Sequence, residues 1–190
     1  MIRTASIAAA AVALVAAAAP ASAQQSVNGN VDITGTVAGT CTVVGGAGGS
    51  SFDGLIALGQ LNDPDGTLRN DLQGAFTTGY NVRIACTSAP TYSLSTALIA
   101  NQDQATAPAG YARVVNYATS VTFARAGAAN LVVPVASAPG SANGAVGGLL
   151  ANVADNVKID ISNIRTAGAS DILLAGAYKG QITLTITPGA

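Results

Sequence analysis

Apolar and polar residues alternate most regularly in the N-terminal part of the chain, across residues 24–37. The odd positions there read Val27, Gly29, Val31, Ile33, Gly35 and Val37, and the even ones Asn28, Asn30, Asp32, Thr34 and Thr36. A period of two predicts a strand with one apolar and one wet face. Gly29 and Gly35 lie on the apolar face and weaken it as an autonomous strand, so Val27, Val31, Ile33 and Val37 need a groove to fill. That groove belongs either to the chain's own domain or to a neighbour's.

Further alternation follows along the chain. Residues 40–44 form a short strand with Cys41, and residues 76–87 place Tyr80, Val82, Ile84 and Cys86 on one face. Tyr92 opens another strand. Residues 111–124 make one or two strands, with Val115, Tyr117, Thr119, Val121 and Phe123 in phase. Residues 131–135 are demoted towards an edge by Pro134. Residues 157–164 alternate through Val157, Ile159 and Ile161. Residues 178–187 present Tyr178, Ile182, Leu184 and Ile186 inward, with Lys179, Gln181, Thr183, Thr185 and Thr187 outward, and Pro188 ends the run.

Between these runs, residues 45–51, 100–110 and 136–148 are rich in Gly, Ala, Ser or Pro and read as loops. Roughly seven to nine short strands separated by turns, with no convincing helix, predict an all-β antiparallel sandwich.

Residues 1–23 stand apart. Arg3 precedes an apolar run from Ile7 to Ala19, and Ala21-Ser22-Ala23 fits a small-residue cleavage site. Thirteen apolar residues fall short of spanning a hydrocarbon core of roughly 30 Å. A cleaved signal peptide is expected, followed by the 24–37 segment and one domain over 38–190. The chain should therefore be exported.

Charge is sparse: eight Lys and Arg, nine acidic residues, all Asp, and a formal charge of −1. No nucleic-acid footprint is present. In an exported chain Cys41 and Cys86 read as a disulfide closing a loop of about 45 residues. A metal or redox role lacks the further ligands or the C-x-x-C spacing it needs.

Without His or Glu, a Ser-His-Asp triad is impossible and acid–base chemistry shrinks to Asp, Lys and Tyr. The Asp63-Pro64-Asp65-Gly66 stretch reads as a turn. Setting Gly66 at the sixth place of a calcium loop puts Leu61 and Leu72 where acidic ligands belong. Asp53, Asp63, Asp65 and Asp71 likewise lack calcium-binding spacing. Tyr111 and Tyr117 are expected in the core rather than on a stacking platform. Neither an enzyme nor a cofactor is expected.

The order of features resembles the spore coat protein U-like family, which includes pilin subunits of the archaic chaperone–usher pathway. The likeness rests on the alternating N-terminal segment, the Cys41 strand, Asn81-Val-Arg-Ile-Ala-Cys86-Thr-Ser with Tyr92-Ser-Leu-Ser, and Leu174-Ala-Gly-Ala-Tyr178-Lys-Gly-Gln-Ile-Thr-Leu-Thr-Ile-Thr-Pro188. It departs from the family in the glycines at 29 and 35, the lack of Trp, and two low-complexity stretches.

The resemblance implies an incomplete immunoglobulin-like sandwich that lacks its last strand. A periplasmic chaperone fills its groove until another subunit's N-terminal strand replaces it at an outer-membrane usher. On this sequence Val27, Val31, Ile33 and Val37 would be donor residues. Tyr178, Ile182, Leu184 and Ile186 would line the acceptor strand, with the Cys41 strand on the groove's other side. The implied product is a surface fibre of subunits joined head-to-tail. The alternative is a self-complete secreted binding or adhesin domain in which the Tyr178 strand closes the fold.

Overall fold

A computed structural model of the chain describes residues 33–45 and 49–189. The signal segment and donor positions Val27 and Val31 lie outside the described residues. Residues 36–190 form one compact unit.

The unit is all-β apart from a single 3-10 turn, Asn70–Leu72. In chain order the strands are β1 (Cys41–Val44), β2 (Thr77–Cys86), β3 (Pro90–Asn101), β4 (Tyr111–Ala112) and β5 (Val114–Phe123). They continue as β6 (Leu131–Val135), β7 (Gly140–Ala145), β8 (Val157–Arg165), β9 (Ile172–Leu173) and β10 (Tyr178–Pro188). Hydrogen bonding links them in the order β1-β2-β8-β5-β3-β10, with β6 on β5 and β7 on β3. All these pairings are antiparallel; β4 and β9 form a small parallel pair of their own.

Strand β5 joins the two layers. Its first residues, Val114 and Val115, pair with β3, and the remainder pairs with β8 and β6. One layer is thus β1-β2-β8-β5-β6 and the other β10-β3-β7. The sandwich is laced shut along the β5–β3 side, while β1 and β10 are the terminal strands of the ladder.

Period-two burial explains these elements. Along β5 the inward set Val115, Tyr117, Thr119, Val121 and Phe123 is buried at every position and the outward set is not. Leu94, Val121, Phe123 and Val157 make the centre of one core cluster, and Val115, Ile161, Ile164 and Leu72 the centre of a second. Burying each such aliphatic or aromatic side chain is worth roughly 1.5–3 kcal/mol.

The cysteines pair as expected. Cys41 and Cys86 stand directly opposite in the β1–β2 register and form a disulfide. Pro134 lies on β6, which pairs only with β5, in keeping with an edge strand. The Asn62–Gly66 stretch is a turn: Gly66 N–H donates to Asp63 O at 2.9 Å. The Asp65 carboxylate accepts from Thr67 Oγ1 and N–H, and the Thr67 hydroxyl foremost holds its pKa below the ordinary value.

Three expectations need correction. Residues 140–145 form strand β7 rather than loop, because this Gly/Ser/Ala segment pairs with β3 through backbone bonds and needs no apolar face. Strand β3 runs from Pro90 to Asn101, starting two residues ahead of Tyr92 and entering the stretch read as loop from residue 100. Tyr111 is exposed on β4, whereas Tyr117 is core, because β4 pairs only with the short β9 outside the main layers.

Candidate functional site

The site is the open seam of the sandwich. Among the described residues β10 pairs on one side only, with β3, over almost its whole length. Its apolar row Tyr178, Ile182, Leu184 and Ile186 is only half-buried, although the same positions on β5 are sealed. The outward Thr183, Thr185 and Thr187 are exposed, so the alternation predicted for this strand is present in space. Tyr178, Ile182, Leu184 and Ile186 thus form an apolar row half-covered beside a strand edge that has no ladder partner among the described residues.

The opposite wall has two parts. Near the Pro188 end it is β1, with Cys41 and Val43 half-buried against the core. Farther along it is the segment 52–61, which has no strand or bridge assignment among the described residues. This second wall was missed by sequence reasoning. Leu55-Ile56-Ala57-Leu58 signals an apolar segment, but nothing in it reveals that it faces β10.

Two anchors hold the segment. Phe52 stacks on Tyr80 with ring centroids 6.1 Å apart, and Tyr80 donates its hydroxyl to Asp53 O at 3.2 Å. Gly54 is required there, since a Cβ would meet the Tyr80 ring at 2.7 Å. At the far end Arg69 donates from its backbone N to Leu61 O and from Nη1 to Gln60 O, both at 2.9 Å. Between the anchors, residues 54–59 make no backbone hydrogen bond among the described residues. Their N–H and C=O groups are therefore available to a partner.

Between this segment and β10 lies a cavity of about 960 Å³. Its walls include Ile56, Leu58, Ile99, Tyr117, Ile161 and Ile182. Tyr117 forms part of the floor at 3 % exposure, and its hydroxyl donates to Ala97 O at 2.8 Å while lying 3.2 Å from Gln181 O. Burial raises its pKa to about 12, so it stays a neutral donor that ties β3 and β10 together from beneath. Tyr178 donates to Leu174 O at 2.9 Å and lies 3.2 Å from Ala112 O, which closes the wide end of the seam.

At the narrow end the walls converge. Thr87 N–H donates to Thr40 O at 2.9 Å and Thr40 N–H to Thr87 Oγ1 at 2.8 Å, pinning the chain as it enters β1. A Cβ on Gly39 would lie 3.5 Å from Pro188 Cβ, so the start of β1 and the end of β10 are neighbours.

Of the four donor positions read from the sequence, two are described. Ile33 is 95 % and Val37 84 % exposed, with no regular secondary structure from residue 33 to 40. These are aliphatic side chains in water, on a segment whose period suits a strand. Leu55, at 84 %, is the comparably exposed aliphatic on the segment facing β10.

Among the described residues no group of three cysteine or acidic side chains gathers around a possible metal position, and no helix is long and apolar enough to cross a membrane. No family model, curated protein or solved structure matches the chain.

Proposed function

We propose that this chain is a structural subunit of an exported surface fibre, a pilus, assembled by donor-strand exchange through a chaperone–usher pathway. The observation that carries the reading is the seam. Tyr178 and Ile182 of the half-buried β10 row face residues 54–59, which make no backbone hydrogen bond among the described residues, across a cavity of about 960 Å³, and the same chain carries Ile33 and Val37 exposed on its N-terminal segment.

An inserted strand would hydrogen-bond to β10 on one side and to residues 54–59 on the other, which is β-augmentation. Burying Val27, Val31, Ile33 and Val37 contributes roughly 1.5–3 kcal/mol for each side chain, before the main-chain bonds are added. The arm donates at one place and the seam accepts at another, so the contact is head-to-tail and propagates into an open filament. In this reading the partners are further copies or related subunits, a periplasmic chaperone that fills the seam in transit, and an outer-membrane usher.

The test is light scattering after size-exclusion chromatography of exported protein with its disulfide intact. Wild type should give a ladder of multimers, and Ile33→Asp should give a folded monomer. Multimers undiminished in Ile33→Asp, or unfolding of the domain when residues 24–37 are removed, would overturn the reading in favour of a self-complete domain.

A further inference from the structure

Strand β7 leaves a second unpaired edge, on the far side of β3 from β10. Its hydrogen-bonding phase follows from one bond: Val146 N–H donates to Pro90 O at 2.9 Å. Carried along the antiparallel register, that phase bonds Gly144 to Tyr92 and Ala142 to Leu94. It turns the N–H and C=O of Ser141, Asn143 and Ala145 away from β3. These residues are exposed, and their outward backbone groups have no partner among the described residues.

Proteins blunt such edges with charge, proline, a bulge or a very short strand. Strand β6 carries Pro134, and β1 is only four residues long. Strand β7 has no charge, no proline and an unbroken register. No charged residue lies in the chain between Arg125 and Asp155. Strand β3 has none either, and β10 has only Lys179, far from the Pro90 end where β7 pairs.

We propose that β7 is a self-association edge, which pairs antiparallel with β7 of a second copy about a two-fold axis through Asn143. That register sets Ser141 opposite the second copy's Ala145, and Asn143 opposite Asn143, with two hydrogen bonds at each pair. Every outward N–H and C=O of these residues is then used. A slide of two residues one way sets Ala145 against Pro139, which has no N–H. The opposite slide sets Ser141 against Gly147, whose φ of +74° has left the extended strand. The occupant is a second copy because the edge is its own complement. Its donors and acceptors alternate identically when read in reverse, and neither copy brings a charge to repel the other.

The contact is separate from arm docking, since β7 and β10 flank β3 on opposite sides. It is small, so two free domains hold each other weakly, and Ile33→Asp still elutes as a monomer. Repeated along the proposed fibre, it would hold fibres side by side.

Disulfide capture tests it. Full-length exported chains with one added cysteine and the Cys41–Cys86 bond intact are mixed in concentrated solution, mildly oxidised and resolved by non-reducing mass analysis. Asn143→Cys should link to itself, and Ser141→Cys to Ala145→Cys in preference to either with itself. Paired Cα atoms about 5.5 Å apart are within disulfide reach. Adding Asn143→Pro to both chains should reduce the Ser141→Cys to Ala145→Cys link to the yield of Ser141→Cys with itself. The Asn143 N–H points away from β3, so the β7–β3 ladder is kept and the circular dichroism should not change. Asn143→Lys, which sets like charges on the axis, should weaken the link in the same way.

Equal yields for all pairings would mean random collision and overturn the proposal. So would a link that survives both Asn143→Pro and Asn143→Lys, or a preference of Ser141→Cys for itself. The pattern should persist when Ile33→Asp is added. Its loss there would place the contact in the seam and overturn the edge, whereas its persistence without any multimer ladder in the wild type would support the edge and overturn arm docking alone.

Discussion

The chain ends one ladder with a side chain, and the cost of removing it can be worked out. Strands β2 and β8 pair as far as Val82 and Val157, so Ile84, two residues further along β2, has no backbone partner on that side. Asn156, 2 % exposed, supplies one. Its Oδ1 accepts from Ile84 N–H at 2.8 Å, and its Nδ2 donates to Ile84 O at 2.7 Å and Ala151 O at 2.8 Å. Asn156→Leu keeps the branching of the side chain and strands these three groups. Ile84 is buried, so its N–H and C=O each lose a partner at about 1–3 kcal/mol, with a smaller loss at half-buried Ala151. The expected loss is about 3–5 kcal/mol, a large part of the roughly 5–15 kcal/mol that holds a domain together. Urea unfolding of the oxidised protein, followed by circular dichroism, measures it. A loss under about 1 kcal/mol, the worth of an ordinary hydrogen bond, would refute the argument that Asn156 completes the ladder. Asn156→Asp sharpens the test. Its carboxylate would face two carbonyl oxygens, so the defect should be worst at neutral pH and lessen as acid protonates it.

Other outcomes follow from the same geometry. Tyr117 titrates at about 12 in the fold against an ordinary 10.0, so its stabilising effect is complete below pH 10 and is lost as pH rises from there towards 12. Tyr117→Phe should lose about 1–2 kcal/mol at pH 7 through its hydrogen bonds and remove that alkaline slope, as pH-dependent urea titrations would show. Cys41→Ser with Cys86→Ser should lower stability by up to about 4 kcal/mol in the chain-entropy model, read from the same unfolding curves. A double variant as stable as wild type would show that the short β1–β2 ladder holds without the bond.

How much of this was legible depended on whether an element carries its own signal. The β5 and β10 patterns did, because alternate side chains meet opposite environments and the residue types record it. The glycines that shape the seam did not. Gly180 looks like a break in the apolar row until Ile99 is seen behind it, and Gly54 gives no sign of the Tyr80 ring above it. Strand β7 was invisible for a related reason: its partners on β3 bond to its backbone, and Gly144 is needed where Tyr92 Oη comes within 3.1 Å of a would-be Cβ. The seam's second wall was hidden most deeply. Residues 54–59 have no regular secondary structure and no backbone hydrogen bond among the described residues, so no two-fold alternation marks them as a wall.

The convergence of Gly39 and Pro188 bears on how load would enter the fold in the proposed fibre. In the proposed fibre the chain's own arm would depart beside Pro188. Force entering through the subunit's own arm reaches the fold at Cys41, the first residue of a strand only four residues long. There the disulfide passes it directly into β2. The bond sits where a pulled chain would otherwise peel away.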